Sequence, residues 1–322
     1  MDIVLASKQL AHYIERAQHI LLVCHQQPDA DAVGSIVALS DWLTQLGKPH
    51  TKFCRDQAPE NLAWLANFEE LITSADSILK KQFDTVILVD SGDLKYAGVA
   101  DLLPQFSPPP FIINIDHHVS NQRFGDCNLV DDTASSTCEM IYRMLTSLGA
   151  VISAKTASAL LAGIIGDTYG FTNPNAREKS LAAAGGLMNR GASLLQVSNA
   201  LVKNKTLPHL KLWGRVLERL QYNPKFGMAV TVITDEDLKE FNGDIETTEG
   251  ISNFLNNLSG VKASLILIQQ GTMVKGSFRT NDELIDVSKL ATLLGGGGHR
   301  KAAGFKITGK ISKDTDGHWQ IV

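Results

Sequence analysis

Several side chains able to bind a divalent cation stand at the ends of apolar runs in this sequence. His25, Asp29 and Asp31 follow Ile20–Cys24 within ILLVCHQQPDADAVG, and Asp90 follows Thr85–Val89 in DSGD. Asp116, His117 and His118 follow Phe111–Ile115, and Asp167 leaves the small-residue segment KTASALLAGIIG. Carboxylate oxygens mixed with imidazole nitrogens suit Mn²⁺ or Mg²⁺ better than a thiolate metal. The set His25, Asp29, Asp31, Asp90, His117 and Asp167 is too large for one catalytic ion that keeps open positions. It fits two ions bridged by one carboxylate, which hold a hydroxide for in-line attack on phosphorus. Neighbouring side chains on a strand diverge, so His117 and His118 cannot share one task. With His117 on the metal, His118 can donate a hydrogen bond or proton to the phosphoryl group, and Asp116 can fix a ring tautomer. The plainer reading of the first stretch is a polar loop in which Asp31 caps a helix. Repetition of the pattern at the later strand ends favours a site.

The elements that must position these residues follow from the same runs. Unbroken apolar runs, lacking the alternation of a half-exposed strand, predict buried parallel strands. Ligands of open α/β sheets collect beyond the carboxyl ends of such strands. After Gly34, Ile36, Leu39, Leu43 and Leu46 mark one helix face and Gly47 ends the helix. Gly34 itself permits close approach of a substrate or a neighbouring backbone. Lys48–Cys54 reads as a strand and Leu62–Leu71 as a short helical connection. Asp93 is expected to cap a turn. Ser135–Leu148 carries Ser136 and Glu139 at capping-box spacing, with Cys138, Ile141, Met144, Leu145 and Leu148 as its buried stripe. Lys155–Gly166 is a further helix. The N-terminal stretch has Leu5, Leu10, Tyr13, Ile14 and Ala17 at helical spacing.

The 322 residues imply two domains of unequal size. Hydrophobic residues make up 44% and charged residues 20%, ordinary for a soluble globular protein. A formal net charge of −4 argues against a general nucleic-acid coat but allows a local basic patch for a small phosphorylated substrate. Four scattered cysteines contain no CxxC pair and give neither a disulfide framework nor a zinc knuckle. Cys24 and Cys138 sit in apolar patterns and read as core residues. No apolar stretch reaches membrane-spanning length, and no signal-peptide pattern is seen, so a reducing cytoplasm is expected.

Glu178–Leu220 is helical in pattern, and the polar stretch Asn199–Pro208 is the least periodic. Strands follow at Met228–Ile233, Ser264–Gln270 and Met273–Arg279, the last two as a hairpin across Gln270-Gly271. Val287–Leu294 reads as a helix with Leu290, Leu293 and Leu294 inward. It runs into Gly295–Gly298 and His299, with Arg300 and Lys301 next. Free backbone N–H groups of Gly297 and Gly298 beside an imidazole suggest a phosphate cradle, with Arg279 as a second clamp.

The succession HQQPDAD, DSGD, DHH, GDT and GGGGHRKAAG resembles the DHH–DHHA1 phosphoesterase family, specifically its stand-alone nanoRNase and pAp-phosphatase group. The resemblance implies a mainly parallel sheet flanked by helices in an N-terminal DHH domain (1–190). A helical linker (191–224) and a smaller α/β DHHA1 domain with a mixed sheet (225–322) would follow. It implies two Mn²⁺ ions, with Mg²⁺ and Co²⁺ as substitutes. His25 and Asp29 would hold one, Asp31, His117 and Asp167 the other, and Asp90 would bridge them. His118, Asp90 and Asp31 would act directly in the reaction. Arg279, Gly297, Gly298 and His299 would grip the nucleotide end of the substrate across an interdomain cleft. The implied reaction is release of 5′-mononucleotides from very short RNA or linear dinucleotides, and of the 3′-phosphate from pAp. A homodimer without membrane association is the implied assembly. Tyr96 stands where many members carry Arg, which removes a cationic phosphate contact from that loop. Other implied readings are a cyclic-dinucleotide phosphodiesterase, another small phosphate-ester hydrolase, or a non-catalytic nucleic-acid-binding scaffold.

Overall fold

The apolar runs pack as parallel strands because each is buried on both faces. The computed structural model of the protein describes residues 3–65, 70–203, 205–241, 248, 250–298, 300–315 and 319–322. These form two units, Met1–Asn204 and Lys205–Val322. The elements of the first unit are α1 (Ile3–Arg16), β1 (Ile20–Val23), α2 (Ala30–Gln45), β2 (His50–Phe53), β3 (Leu71–Ile72) and α3 (Ala75–Leu79). They continue with β4 (Thr85–Val89), β5 (Phe111–Asp116), β6 (Cys127–Val130), α4 (Thr137–Ser147), α5 (Ala154–Asp167), α6 (Glu178–Met188) and α7 (Leu194–Leu201).

The sheet order is β3-β2-β1-β4-β5-β6, and every pairing is parallel. Alternate residues of one strand serve opposite cores. Ile20, Leu22, Ile87 and Val89 face the layer that contains Leu39, Leu43, Ile141 and Leu160. Leu21, Val23, Val86 and Leu88 face Phe53, Ile78, Phe83 and Phe106. The chain runs outward from β1 to β3 and then returns to place β4 on the other side of β1. This reversal opens a crevice at the carboxyl ends of β1 and β4, the usual ligand position in such a sheet.

Over the sheet, α2 and α5 pack at close range. A Cβ at Gly34 would lie 2.5 Å from the Ala159 carbonyl oxygen, so glycine is required by a neighbouring backbone. Gly47, with φ of 66°, ends α2 in the left-handed conformation. Some expectations need correction. Leu5 and Leu46 are exposed, since the inward faces of their helices run through Leu10 and Ile14, and through Leu39 and Leu43. Leu71 begins β3 and a short helix spans Glu60–Leu62, while residues 66–69 of the expected helical connection lie outside the described residues. Leu148 is only half-buried at the end of α4. The expected capping box on α4 is half formed. Ser136 accepts from the Glu139 N–H, while the Glu139 carboxylate turns to Ser135.

The second unit holds α8 (Leu207–Glu218), β7 (Gln221–Asn223), β8 (Met228–Ile233), α9 (Asp235–Glu240), α10 (Ile251–Leu255) and β9 (Ala263–Gln270). It ends with β10 (Met273–Arg279), α11 (Val287–Leu293), β11 (Gly297–Gly298), β12 (Ala302–Thr308), β13 (Ile311–Lys313) and β14 (Trp319–Ile321). Its main sheet runs β11-β12-β10-β9-β8-β7 and is mixed, with β8 parallel to β9 and β10 antiparallel to both neighbours. The stretch 191–224 is thus divided, α7 lying in the first unit and α8 in the second.

The inward face of α11 is Val287 and Ala291, one turn apart, so Leu290, Leu293 and Leu294 point outward, contrary to expectation. The second half of the glycine run, Gly297–Gly298, is an edge strand. Gly297 pairs with Gly304 and Gly298 with Ala303. A Cβ at Gly296 would collide with the Gly304 carbonyl oxygen, so that glycine serves packing.

A buried ion pair anchors α9. Asp237, 2% exposed, accepts from the Thr234 backbone and hydroxyl and from Arg219. Burial pushes its carboxyl up, but the Arg219 and Thr234 hydrogen bonds outweigh this and hold it below the ordinary range. A depressed carboxyl stabilises above its unfolded value of about 4, and that stability is lost as pH falls through the folded value. Asp237→Ala should cost about 3 kcal/mol in urea unfolding at pH 7. The difference from wild type should shrink below about pH 4.

Candidate metal centre

The loop after β1 is tied down by its own polar groups. His25 is 4% exposed. Its Nδ1 lies 2.7 Å from the Gln26 carbonyl oxygen and therefore carries the proton, leaving Nε2 as a donor atom. Nε2 lies 3.5 Å from Asp90 Oδ2 and 3.8 Å from Asp29 Oδ1. The Tyr96 ring stacks on the imidazole with centroids 4.9 Å apart and planes 12° from parallel. Tyr96 thus fixes the plane of His25.

Asp29, not Asp31, caps α2. Its Oδ1 accepts from the Asp31 and Ala32 N–H groups. The extended Asp29 backbone precedes the helix, whereas Asp31 already lies in the first turn and is fully buried. Asp31 instead crosses to α4, where Oδ2 accepts from Thr137 N at 2.6 Å and Oδ1 from Cys138 N at 2.8 Å. These are two of the orphan amides of a helix N-terminus, which favour a carboxylate. Burial, and then the charges of Asp90 and Asp167, push the Asp31 carboxyl well above the ordinary range.

Asp90 sits just past β4 with φ of 56°, a left-handed conformation for a residue with a side chain. Such strain persists where surrounding contacts overdetermine it. The Thr137 hydroxyl donates to Asp90 Oδ1 at 3.1 Å, and the Asp90 backbone N–H bonds the Ile115 carbonyl oxygen. Thr137 therefore holds Asp31 through its backbone and Asp90 through its side chain.

At the end of β5, Asp116 is fully buried and accepts from Asn121 and from His118 Nδ1, the latter at 2.7 Å. His117 points elsewhere, its Nε2 3.1 Å from Asp167 Oδ2 and 3.5 Å from Asp90 Oδ1. Burial pulls both imidazoles down in pKa, but Asp167 and Asp90 around His117, and Asp116 and Asp90 around His118, raise them overall. Asp167 ends α5, which Gly163 brings close enough for Asp31 to fit. A Cβ at Gly163 would lie 2.6 Å from Asp31 Oδ1.

Three donor sets result: His25 with Asp29 and Asp90; Asp31 with His117 and Asp167; Asp90 with His117 and His118. Within each set, one ligand atom per residue lies within 4.8 Å of the others. The structure thus brings His25, Asp29 and Asp90 together and Asp31, His117 and Asp167 together, with Asp90 3.5 Å from both imidazoles. Divalent cations fit here on a direct observation: the buried His117 Nε2 faces the Asp167 and Asp90 carboxylates at 3.1 and 3.5 Å without a partner in hydrogen-bond geometry. A lone pair buried without a partner is costly, and a cation satisfies it while offsetting the mutual repulsion of Asp31, Asp90 and Asp167.

Thr137 and Tyr96 are the contributors that residue chemistry overlooked. A threonine at a helix start reads as a capping residue. Its link to Asp31 spans 106 positions, beyond any local pattern. Thr137→Val keeps the shape and the backbone bonds to Asp31 but removes the donor to Asp90. It should weaken divalent-cation binding and lower metal-dependent activity about 10–100-fold, while Thr137→Ser stays near wild type. Steady-state kinetics against Mn²⁺ concentration checks this.

The residues expected to form a clamp lie in the second unit. Arg279, at the end of β10, donates from Nε to Asn253 Oδ1 and from a terminal nitrogen to the Phe278 carbonyl oxygen. Gly297 and Gly298 lie exposed on the edge strand β11. His299 lies outside the described residues.

This combination of a parallel sheet, an Asp–His cluster at its switch point and a mixed second sheet defines a class. The DHH family, N-terminal domain, matches residues 19–164 and the DHHA1 domain matches residues 226–315. The chain belongs to the DHH–DHHA1 phosphoesterases. Among its relatives, the bifunctional oligoribonuclease and PAP phosphatase NrnA of Bacillus subtilis is 29% identical over 303 residues, covering 93% of this chain and 92% of its own. The protein of the same description from Thermus thermophilus is 29% identical over 291 residues, covering 90% of this chain and 84% of its own. Among solved structures, an exopolyphosphatase-related protein from Bacteroides fragilis superposes with a TM-score of 0.87 at 24% identity. That pair covers 95% of this chain and 92% of the other, and it bears on the fold alone.

Proposed function

We propose that the protein is a Mn²⁺-dependent phosphodiesterase. It hydrolyses very short oligoribonucleotides and linear dinucleotides such as pApA to 5′-mononucleotides, and removes the 3′-phosphate of pAp. The observation that carries this reading is the pair of donor sets joined through Asp90 at the carboxyl ends of β1, β4 and β5. Similarity to the two NrnA relatives over nine-tenths of the chain supports the substrate class.

His25, Asp29 and Asp90 would hold one ion, and Asp31, His117, Asp167 and Asp90 the other. When bound, two such ions supply Lewis acidity and a deprotonated water at neutral pH. The remaining work falls to the chain's own groups. Asp116 anchors Nδ1 of His118, so the ring is held for hydrogen bonding or proton donation to the phosphoryl group. Thr137 and the α4 amides hold the carboxylates in place as charge develops. Arg279, with the Gly297–His299 segment, supplies the contacts to the nucleotide.

The reading includes a homodimer and a cytoplasmic location. The four free thiols suit the reducing compartment, and sedimentation tests the assembly. Among the described residues no helix is long and apolar enough to cross a membrane. Product analysis with Mn²⁺ on pApA, a 5′-labelled RNA ladder, pAp and a cyclic dinucleotide tests the activity. AMP from pApA and rapid loss of the shortest RNAs are expected. Hydrolysis of the cyclic substrate alone would contradict the reading.

A further inference from the structure

Two lysines on the second unit's sheet face each other where opposite charges, or none, would be ordinary. Lys275 of β10 is paired in register with Lys306 of β12. Like charges directly opposite on a sheet repel. Strand alternation puts Ser277 and Arg279 on the same face as Lys275, and Gly304 and Lys306 on the same face of β12. The charges that act on the Lys275 ammonium are Lys306 and Arg279, both cations, and with burial they pull its pKa down.

No ion pair engages these three cations among the described residues. The Arg279 contacts are an amide oxygen and a backbone carbonyl, both neutral. The opposite face of the same strands is apolar, where Phe278 and Phe305 pack with Val287 and Ala291. On the cationic face, β9 is covered by the cluster of Leu212, Val216, Ile251 and Leu255 over Ile266 and Ile268. The polar strip over β10 and β12 is therefore bounded on one side by that cluster. Its floor, Ser277 opposite Gly304, carries small side chains only.

We propose that Lys275 and Lys306 form a second phosphate subsite, which takes a backbone phosphate of an oligoribonucleotide beyond the nucleotide held at Arg279. The inference rests on the oligoribonuclease reading above and extends it. Lys275 is four residues from Arg279 along one strand, a separation of about 13 Å. The lysine pair and Arg279 thus stand at different points along one strand, where a chain with further phosphodiesters can engage both at once. An anion between the lysines turns an unfavourable pair into two charge-assisted contacts. The subsite therefore distinguishes short RNA chains from dinucleotides and from pAp, and sets substrate length preference from outside the metal centre.

The test uses the full-length protein and its Lys275→Gln/Lys306→Gln variant. Binding of 5′-phosphorylated pentaadenylate and of pApA is measured by competition against a labelled RNA in chelator, where nothing is cleaved. The double variant should bind pentaadenylate about tenfold more weakly and pApA within about twofold of wild type. Its log Kd against log salt slope for pentaadenylate should fall by about 0.7 for each phosphate that is no longer neutralised. The melting temperature should be equal to or above that of wild type, since a repulsion is removed. Equal weakening for both RNAs, or none for either, would overturn the subsite while pApA cleavage left the phosphodiesterase reading intact. Failure of the wild-type protein to bind or cleave either RNA would overturn both.

Discussion

Asp90→Asn should reduce hydrolysis of pApA at least about 10³-fold in kcat while leaving the protein folded. Asp90 is the carboxylate that reaches both His25 and His117, at 3.5 Å in each case. Under the proposed reading, removing its charge would take away the one carboxylate that would serve both ions. Asparagine tolerates the left-handed backbone that Asp90 adopts, so the loop should keep its course. Each imidazole also keeps a second carboxylate neighbour, Asp29 for His25 and Asp167 for His117. In chelator, the melting temperature should therefore stay within a few degrees of wild type. Mn²⁺ at 100 times its Kd stabilises a single-site protein by about 2.7 kcal/mol, and most of this shift should vanish in the variant. Retained activity would remove Asp90 from the role given to it.

Gly163→Ala should have a comparably large effect from outside the ligand set. The added methyl would collide with Cys138 Sγ and lie 2.6 Å from Asp31 Oδ1, both residues being fully buried. Something must move, and overpacking of this kind costs about 1–3 kcal/mol. The Asp31 carboxylate is fixed by two amides of α4, so displacing it opens the site. Activity should fall about 100-fold or more, because a shift of about 1 Å at a reacting centre has that scale of consequence. Adding Cys138→Ala relieves the sulfur clash but not the carboxylate clash. The double variant should recover part of the stability in urea unfolding without recovering kcat. Recovery of both together would show that Asp31 is not the group affected.

The sequence announces the strands that carry the site because β1, β4 and β5 are buried on both faces and need continuous apolar runs. It does not announce β3 or β6. The two residues of β3 are too few for a pattern, and β6 is interrupted by Asn128, whose amide serves Asn114 and Gly125. The face of α11 differs from the expected one because inward leucines are the ordinary assumption, whereas the small Ala291 fits against the sheet and Leu293 is exposed.

Donor residues are legible since few sequences deliver carboxylates and imidazoles repeatedly at strand ends. Of their supports Asp116, beside His118 in the sequence, is legible too, but the others are not. The Thr137 hydroxyl reaches Asp90 over 47 positions, and the choice of Asp29 over Asp31 as helix cap depends on where the backbone turns. The four glycines look like a loop because edge pairing with β12 leaves no local mark. Two of them are glycine so that strands and neighbouring residues can approach.

The most direct test is restoration of activity to metal-stripped protein. Wild-type enzyme, freed of metal by chelation and then titrated with Mn²⁺, should regain pApA hydrolysis as two equivalents bind. Released AMP should be counted against bound metal. Asp90→Asn should remain inactive throughout the titration. Hydrolysis that persists in excess chelator, or full activity without bound Mn²⁺, would contradict a metal-dependent phosphodiesterase built on Asp90.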